Sequence, residues 1–152
     1  MSSDSASVER VIPAPPERIF ALLADANRHR DFDGSGTVRD PAKGTPDTLT
    51  LGATFGMSMR VVMPYSMTNT VVEYDENRRI AWQPRPAYPL LSRFIGGRIW
   101  RYELEPVEGG TRVRETWDIS QEAVPALVRP LRDLTKRNMA KSLERLEQLV
   151  SA

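Results

Sequence analysis

Glu115 is an acidic residue at a position where the sequence predicts an inward-facing side chain. The segment GTRVRETWDIS reads as a strand, and side chains alternate along a strand, so Val113, Glu115 and Trp117 share one face. The preceding segment GRIWRYELEP places Trp100 and Tyr102 together in the same way. A carboxylate among such neighbours can anchor a ligand hydroxyl or act as an acid or base. The alternative is a strand-end glutamate that pairs with a neighbouring arginine, or a locally shifted register that turns Glu115 outward, and such ion pairs explain many groups of this kind.

Three more polar residues fall inside apolar patterns. Asn69 lies among apolar residues that share one face of a strand. Asn138 and Ser142 lie on the apolar side of the C-terminal helix. Polar groups in such places cost stability unless they are satisfied. We therefore expect them to orient a ligand, and Tyr102 or Asn138 would assist Glu115 if the protein is an enzyme.

On several strands the apolar side chains share one face, and this predicts the walls of a cavity between the sheet and the C-terminal helix. Aromatic residues more often form ordinary core, whereas methionines adapt to flexible apolar ligands. The predicted wall residues are Phe55, Met57, Met59, Met67, Trp82, Trp100, Tyr102, Trp117 and Leu131. The expected occupant is a small hydrophobic molecule.

Other chemistries find little support in the sequence. The chain has no cysteine and a single histidine, His29, which we expect to be solvated beside Arg28 and Arg30. We predict no metal and no cofactor. Asp33 is expected to brace the following glycine turn. With 21 basic and 20 acidic residues, the chain carries no electrostatic signature of nucleic-acid binding.

The length of 152 residues fits one domain over 1–152, with residues 1–6 flexible. The polar N-terminus lacks the apolar core of a signal peptide, and no run reaches the roughly 20 apolar residues of a membrane span. We therefore expect a cytoplasmic protein, either a monomer or a homodimer.

The order of elements predicts an α+β fold. A first strand and two short helices precede a curled antiparallel sheet of about seven strands and a helix from about Val124 to Val150. Pro130 predicts a kink or a late helix start. Tyr88–Gly97 is rich in proline and glycine and predicts a mobile flap over the cavity. A helical wheel predicts that one side of the last helix faces the core, with Val124, Leu127, Leu131, Leu134, Leu146 and Leu149 on it.

Several strings resemble the SRPBCC superfamily, which includes polyketide cyclases and dehydratases, START lipid-transfer domains and the birch-pollen allergen group. They are VERVIPAPPERIFALLADANRHRDF, VVEYDENRRIAWQP, WRYELEPVEGGTRVRETWD and SLERLEQLV, and together they cover nearly the whole chain. The resemblance implies the helix-grip fold, a sheet wrapped around a long C-terminal helix, with lipids, sterols, polyketides or plant hormones bound between them.

Three functions remain open at this point. The leading hypothesis is binding of a small hydrophobic, lipid-, polyketide- or aromatic-like molecule. The alternative is an enzyme of the polyketide cyclase or dehydratase type with Glu115 as acid or base. The third is a module that binds a protein partner through the flap or the basic face of the last helix.

Overall fold

A seven-stranded antiparallel sheet forms the body of the protein, with strand order β1-β7-β6-β5-β4-β3-β2. The computed structural model describes residues 4–35, 38–41, 48–60, 64–86 and 96–151, and it describes side chains in these ranges except at 38–41, 56–60 and 64–67. The first and second strands lie at opposite edges, and β1 is held there by pairing with β7. The predicted α+β architecture is confirmed.

The strands agree closely with the alternating segments of the sequence. Their bounds are β1 Ser5–Ile12, β2 Val38–Pro41, β3 Thr54–Arg60, β4 Pro64–Asp75, β5 Arg79–Pro86, β6 Ile99–Val107 and β7 Gly110–Asp118. The long strand β4 shifts register against β5 between Val71 and Glu73. Such a bulge increases the local twist, which helps a sheet to curl.

Two short helices follow β1 and a long one ends the chain. Helix α1 spans Pro16–Leu23 and α2 spans His29–Phe32, with a 3₁₀ turn at Ala26–Arg28 between them. The C-terminal part consists of α3 at Pro125–Val128, a 3₁₀ turn at Arg129–Leu131, and α4 at Arg132–Ser151. The predicted interruption near Pro130 is confirmed.

The interruption makes the predicted core face of the last helix partly wrong. Leu127, Leu131 and Leu134 are 57%, 43% and 48% exposed. One helical wheel cannot run through a 3₁₀ turn, because that turn advances each residue by a different angle than an α-helix does. The buried residues of α4 are instead Met139, Ser142, Leu143, Leu146 and Val150.

The buried apolar residues form two separate clusters. The larger one joins α1 and α2 to the sheet and to Leu143 and Leu146 of α4. The smaller one consists of Ala6, Trp117, Ile119, Val128 and Met139. Val8 and Trp100, both only partly buried, touch both clusters. The core is therefore divided across the inner face of the sheet and along α4.

Candidate functional site

Glu115 lies on β7 where the core divides. Val113 on one side belongs to the larger cluster and Trp117 on the other belongs to the smaller one. On α4 the same division falls between Met139 and Leu143. We call this region, bordered by Val8, Trp100 and Glu115 on the sheet, the core seam.

The side chain of Glu115 is almost completely buried, with 3% exposure, so the inward orientation predicted from the sequence is confirmed. Tyr102 lies directly opposite on β6, where its phenol lowers the pKa of the Glu115 carboxyl. One carboxyl oxygen, Oε1, has no hydrogen-bond partner among the described residues. A buried polar atom without a partner carries a free-energy cost, so a polar group placed beside it would be stabilising.

Burial changes the protonation of this pair. Desolvation raises the pKa of Glu115 to about 8, and the charge of Asp33 raises it further, while the hydrogen bond from Tyr102 lowers it. Desolvation, together with the nearby Glu115 carboxyl, also raises the pKa of Tyr102 well above its usual value. At pH 7 both groups therefore carry a proton in most molecules, and the pair is a neutral donor.

A second unpartnered polar atom lies next to the pair. Trp117 is two residues from Glu115 on the same face of β7, and its Nε1 has no hydrogen-bond partner within the described part of the chain. Trp100 stands opposite Trp117 on β6 and is only half-buried although it faces inward. The seam thus offers an indole N–H and a carboxyl group beside an incompletely covered aromatic ring.

Aromatic rings extend from this pair toward the helices. Tyr102 stacks on Trp82 with ring centroids 5.6 Å apart, and Trp82 stacks on His29 at 4.5 Å. Phe55 and Phe32 meet the edge of His29 at 5.5 and 5.4 Å. The predicted wall residues Phe55, Trp82 and Tyr102 therefore lie together, and they are in contact with one another.

The expectation that His29 is solvated is wrong. The ring is 5% exposed, and its Nε2 donates to the carbonyl oxygen of Leu23 over 2.9 Å. Desolvation lowers the pKa of His29 to about 4, so the ring is neutral at pH 7 with its hydrogen on Nε2. The sequence did not reveal this burial, because an arginine stands on each side of His29. Helix α2 is a single turn with only one covered face, so a buried residue can stand between two polar ones.

The remaining polar candidates are placed differently. Asn69 is buried on β4 between Phe55 and Pro84 of the neighbouring strands, on the inner face. Ser142 is buried, but its Oγ accepts a hydrogen bond from the Gly34 N–H at 2.8 Å and donates to the Asn138 carbonyl at 3.1 Å. Asn138 itself is only half-buried. Ser142 thus joins the loop after α2 to α4, a role that helical position alone could not reveal.

Other expected site residues are less well placed or cannot be placed. Leu131 is 43% exposed, outside both core clusters. The side chains of Met57, Met59 and Met67 lie outside the described ones. The predicted brace at the glycine turn is present, since the Asp33 carboxylate accepts from the backbone N–H and the hydroxyl of Ser35.

Most of the predicted flap, residues 87–95, lies outside the described residues. Its end at Gly96 and Gly97 is firmly attached. The Gly96 N–H donates to the buried Glu122 carboxylate at 2.6 Å, and Gln83 donates to the Gly97 carbonyl at 2.8 Å. Glu122 also lies 3.4 Å from Arg98.

The outer face of the sheet holds a groove of about 1110 Å³ with a different character. Its charges are paired with one another: Arg101 with Glu73 at 2.6 Å, Arg79 with Glu103 at 2.9 Å, and Arg112 with Glu105 at 3.3 Å. These pairs cross-link neighbouring strands. They leave the groove less suited to a ligand than the inner face.

The order of elements in the structure and the match to a protein-family model lead to the same assignment. Residues 3–151 match the model described as polyketide cyclase / dehydrase and lipid transport. The chain belongs to that family. The SRPBCC assignment made from the sequence is thereby confirmed, and the family and fold are those of proteins that bind hydrophobic ligands.

Relatives and solved structures agree with this placement. An uncharacterised protein of Mycobacterium tuberculosis is 39% identical over 116 residues, which are 75% of this chain and 46% of that protein. The chain therefore spans about half the length of the relatives it matches.

Among solved structures, a protein from Arthrobacter aurescens has a TM-score of 0.75 at 14% identity, covering 98% of this chain and 87% of that one. A protein from Chromobacterium violaceum has a TM-score of 0.72 at 17% identity and covers 99% of both chains. The Aha1 dimer from Colwellia psychrerythraea has a TM-score of 0.64 at 19% identity, covering 96% and 95%. These likenesses establish the helix-grip fold.

Among the described residues, no helix is long and apolar enough to cross a membrane.

Proposed function

We propose that the protein binds a small hydrophobic molecule at the core seam, with the polar end of the ligand on Glu115 and Trp117. The observation that carries the proposal is the Glu115 carboxyl, buried where the core divides and with Oε1 unpartnered among the described residues. A ligand lying across the seam would place apolar surface on Trp100 and a polar atom within reach of Oε1. The family and fold support the class of ligand.

The protonation state of the site limits which polar group the ligand can carry. Because burial raises the pKa of Glu115 to about 8, the carboxyl is a donor at neutral pH. The indole Nε1–H of Trp117 is also a donor. A neutral acceptor such as a carbonyl or ether oxygen fits both, whereas a ligand ammonium does not. Asn138 on α4 is proposed as a further polar contact.

The first test fills the seam without touching its polar groups. Val8 stands opposite Glu115 on β1 and touches both core clusters, so Val8→Phe would occupy space that we assign to the ligand. Native mass spectrometry of freshly purified protein and titration with the neutral dye Nile red measure occupancy. We expect a co-purified apolar molecule and saturable dye binding, both reduced at least fivefold by Val8→Phe.

The matched control is Val11→Phe on the same strand, where the side chain is 47% exposed and lies outside the core. This change should leave dye binding unaltered. Equal dye binding in both variants, or none in the wild-type protein, would overturn the proposed function. Asn138→Leu should weaken binding up to roughly tenfold, the worth of one neutral hydrogen bond, while changing stability little.

An enzyme of the polyketide cyclase or dehydratase type is the second candidate. The observation that favours it is the buried Tyr102–Glu115 pair, since a carboxyl group with a pKa near 8 can give a proton in its acid form and take one in its carboxylate form. Glu115 would then be the general acid or base and Tyr102 its helper. Turnover of a β-polyketone by the wild-type protein but not by Glu115→Gln, with dye binding retained in both, would establish this function instead.

The same proposal describes a cytoplasmic protein that needs no cofactor or metal and binds no nucleic acid. Light scattering coupled to size exclusion distinguishes a monomer from a homodimer.

A further inference from the structure

Three leucines near the start of the C-terminal helix are turned to the solvent. Leu127 is 57% exposed, Leu131 43% and Leu134 48%. Leu127 lies in α3, Leu131 in the 3₁₀ turn and Leu134 at the start of α4, so these exposed side chains follow one another along the segment, and we call them the leucine row. Core packing does not account for this row, because the buried side of the segment is made by Val128 and Met139.

The same segment carries several positive charges. Arg132, Lys136, Arg137 and Lys141 form no ion pair or side-chain hydrogen bond within the described residues. By contrast, Arg101, Arg112 and Arg114 each bind a carboxylate. The segment between 130 and 141 holds one acid, Asp133, against four cations, although the whole chain has a net charge of only +1.

We propose that this surface, the leucine row with its flanking cations, docks on an anionic lipid bilayer. Amphipathic helices bind the plane of a membrane when apolar side chains enter the acyl boundary and basic side chains meet anionic headgroups. Three leucines that are about half exposed supply little apolar surface, whereas a specific protein interface buries about 800 Å² on each partner. A deformable lipid surface therefore fits it better than the flat face of a protein does.

The test is binding of the whole protein to vesicles of phosphatidylcholine alone and of phosphatidylcholine with 30% phosphatidylglycerol. We expect co-sedimentation with the anionic vesicles only, weakening as salt rises, because screened cations lose their attraction to headgroups. Hydrogen exchange on the wild-type protein should show new protection over 124–137 when anionic vesicles are added. This second readout needs no variant.

Two sets of substitutions test the leucines and the cations of this surface separately. Leu127→Ser with Leu131→Ser and Leu134→Ser should lower partitioning at least fivefold, and Lys136→Glu with Arg137→Glu should lower it about tenfold or more. The controls are Leu51→Ser, an exposed leucine at 65% on another part of the chain, and Arg18→Glu on α1. Both should bind as the wild-type protein does.

Several outcomes would overturn the proposal. One is failure of the wild-type protein to sediment with anionic vesicles, and another is a leucine variant that binds as well as the controls. Self-association that the leucine variant abolishes would identify a second copy as the occupant. Protection of 124–137 by an acidic protein but not by vesicles would identify a protein partner. Nile red binding is measured without vesicles, so failure here leaves the proposed ligand site standing.

Discussion

A carboxylic acid that stays protonated at neutral pH is the main chemical feature of this protein. Glu115 gains that state from burial. The sequence was enough to predict its inward direction, since strand alternation determines which way a side chain points. Its protonation could not be predicted, because the sequence does not tell how deeply the carboxyl is buried.

Replacing Glu115 by glutamine should alter how stability depends on pH. Between pH 4.5 and 8 the folded protein holds a proton that the unfolded chain releases, so this residue lowers stability progressively as pH rises through that range. The full effect is on the order of 5 kcal/mol. Glu115→Gln should therefore match the wild-type protein near pH 4.5 and be more stable at pH 8 in urea unfolding.

Glu103→Gln is a control for that comparison, because Glu103 lies on the outer face of β6. It should retain the wild-type slope. Loss of the slope in Glu103→Gln, or its persistence in Glu115→Gln, would show that another group is responsible.

His29 provides a prediction of the opposite sign. Desolvation lowers its pKa from 6.5 to about 4, against the raising effects of the Leu23 carbonyl, Asp25 and Asp33. The unfolded chain therefore takes up a proton first as pH falls, and stability is lost from pH 6.5 down to about 4. Because His29 is the only histidine, its ring signals can be followed by NMR without assignment. A titration midpoint near 6.5 in the folded protein would refute its burial.

At the scale of elements, strands were predicted better than the terminal helix. Alternation depends on neighbouring residues only, so the bounds of β4 to β7 could be estimated within a few residues. The face of α4 depends on where the helix restarts after Pro130, and one 3₁₀ turn moved Leu127, Leu131 and Leu134 out of the predicted core. The contact between α4 and the loop after α2 depends on tertiary structure, and no local sequence pattern predicts it.

That contact should be costly to disturb. In Ser142→Ala the buried N–H of Gly34 loses its acceptor, which costs about 1–3 kcal/mol. There is little room for adjustment, because a Cβ on Gly34 would lie 2.0 Å from the Asn138 carbonyl oxygen. Thermal unfolding of Ser142→Ala should show the loss, whereas Ser120→Ala, which removes an exposed hydroxyl bonded to Asp118, should cost less than about 0.5 kcal/mol. Similar losses in both would contradict the role given to Ser142.

At the scale of the whole molecule, His29 and Glu115 have opposite effects on how stability depends on pH. His29 makes stability rise with pH up to 6.5, and Glu115 makes it fall with pH up to 8. Their slopes nearly cancel between pH 4.5 and 6.5. The melting temperature of the wild-type protein should therefore change little from pH 5 to 6 and drop between pH 6.5 and 8. A melting temperature that climbs steadily through pH 8 would contradict the burial of Glu115.

The position of β1 at the sheet edge also affects how the chain is made. Ser7 on β1 bonds Thr116 on β7, a residue 109 positions later, so β1 leaves the ribosome well before the strand with which it pairs. At synthesis rates of about 5–20 residues per second, that wait lasts on the order of 5–20 s. Throughout it the inner face of β1 has no β7 beside it. A nascent chain stalled before β7 should therefore associate with chaperones, and extending it past Asp118 should release them.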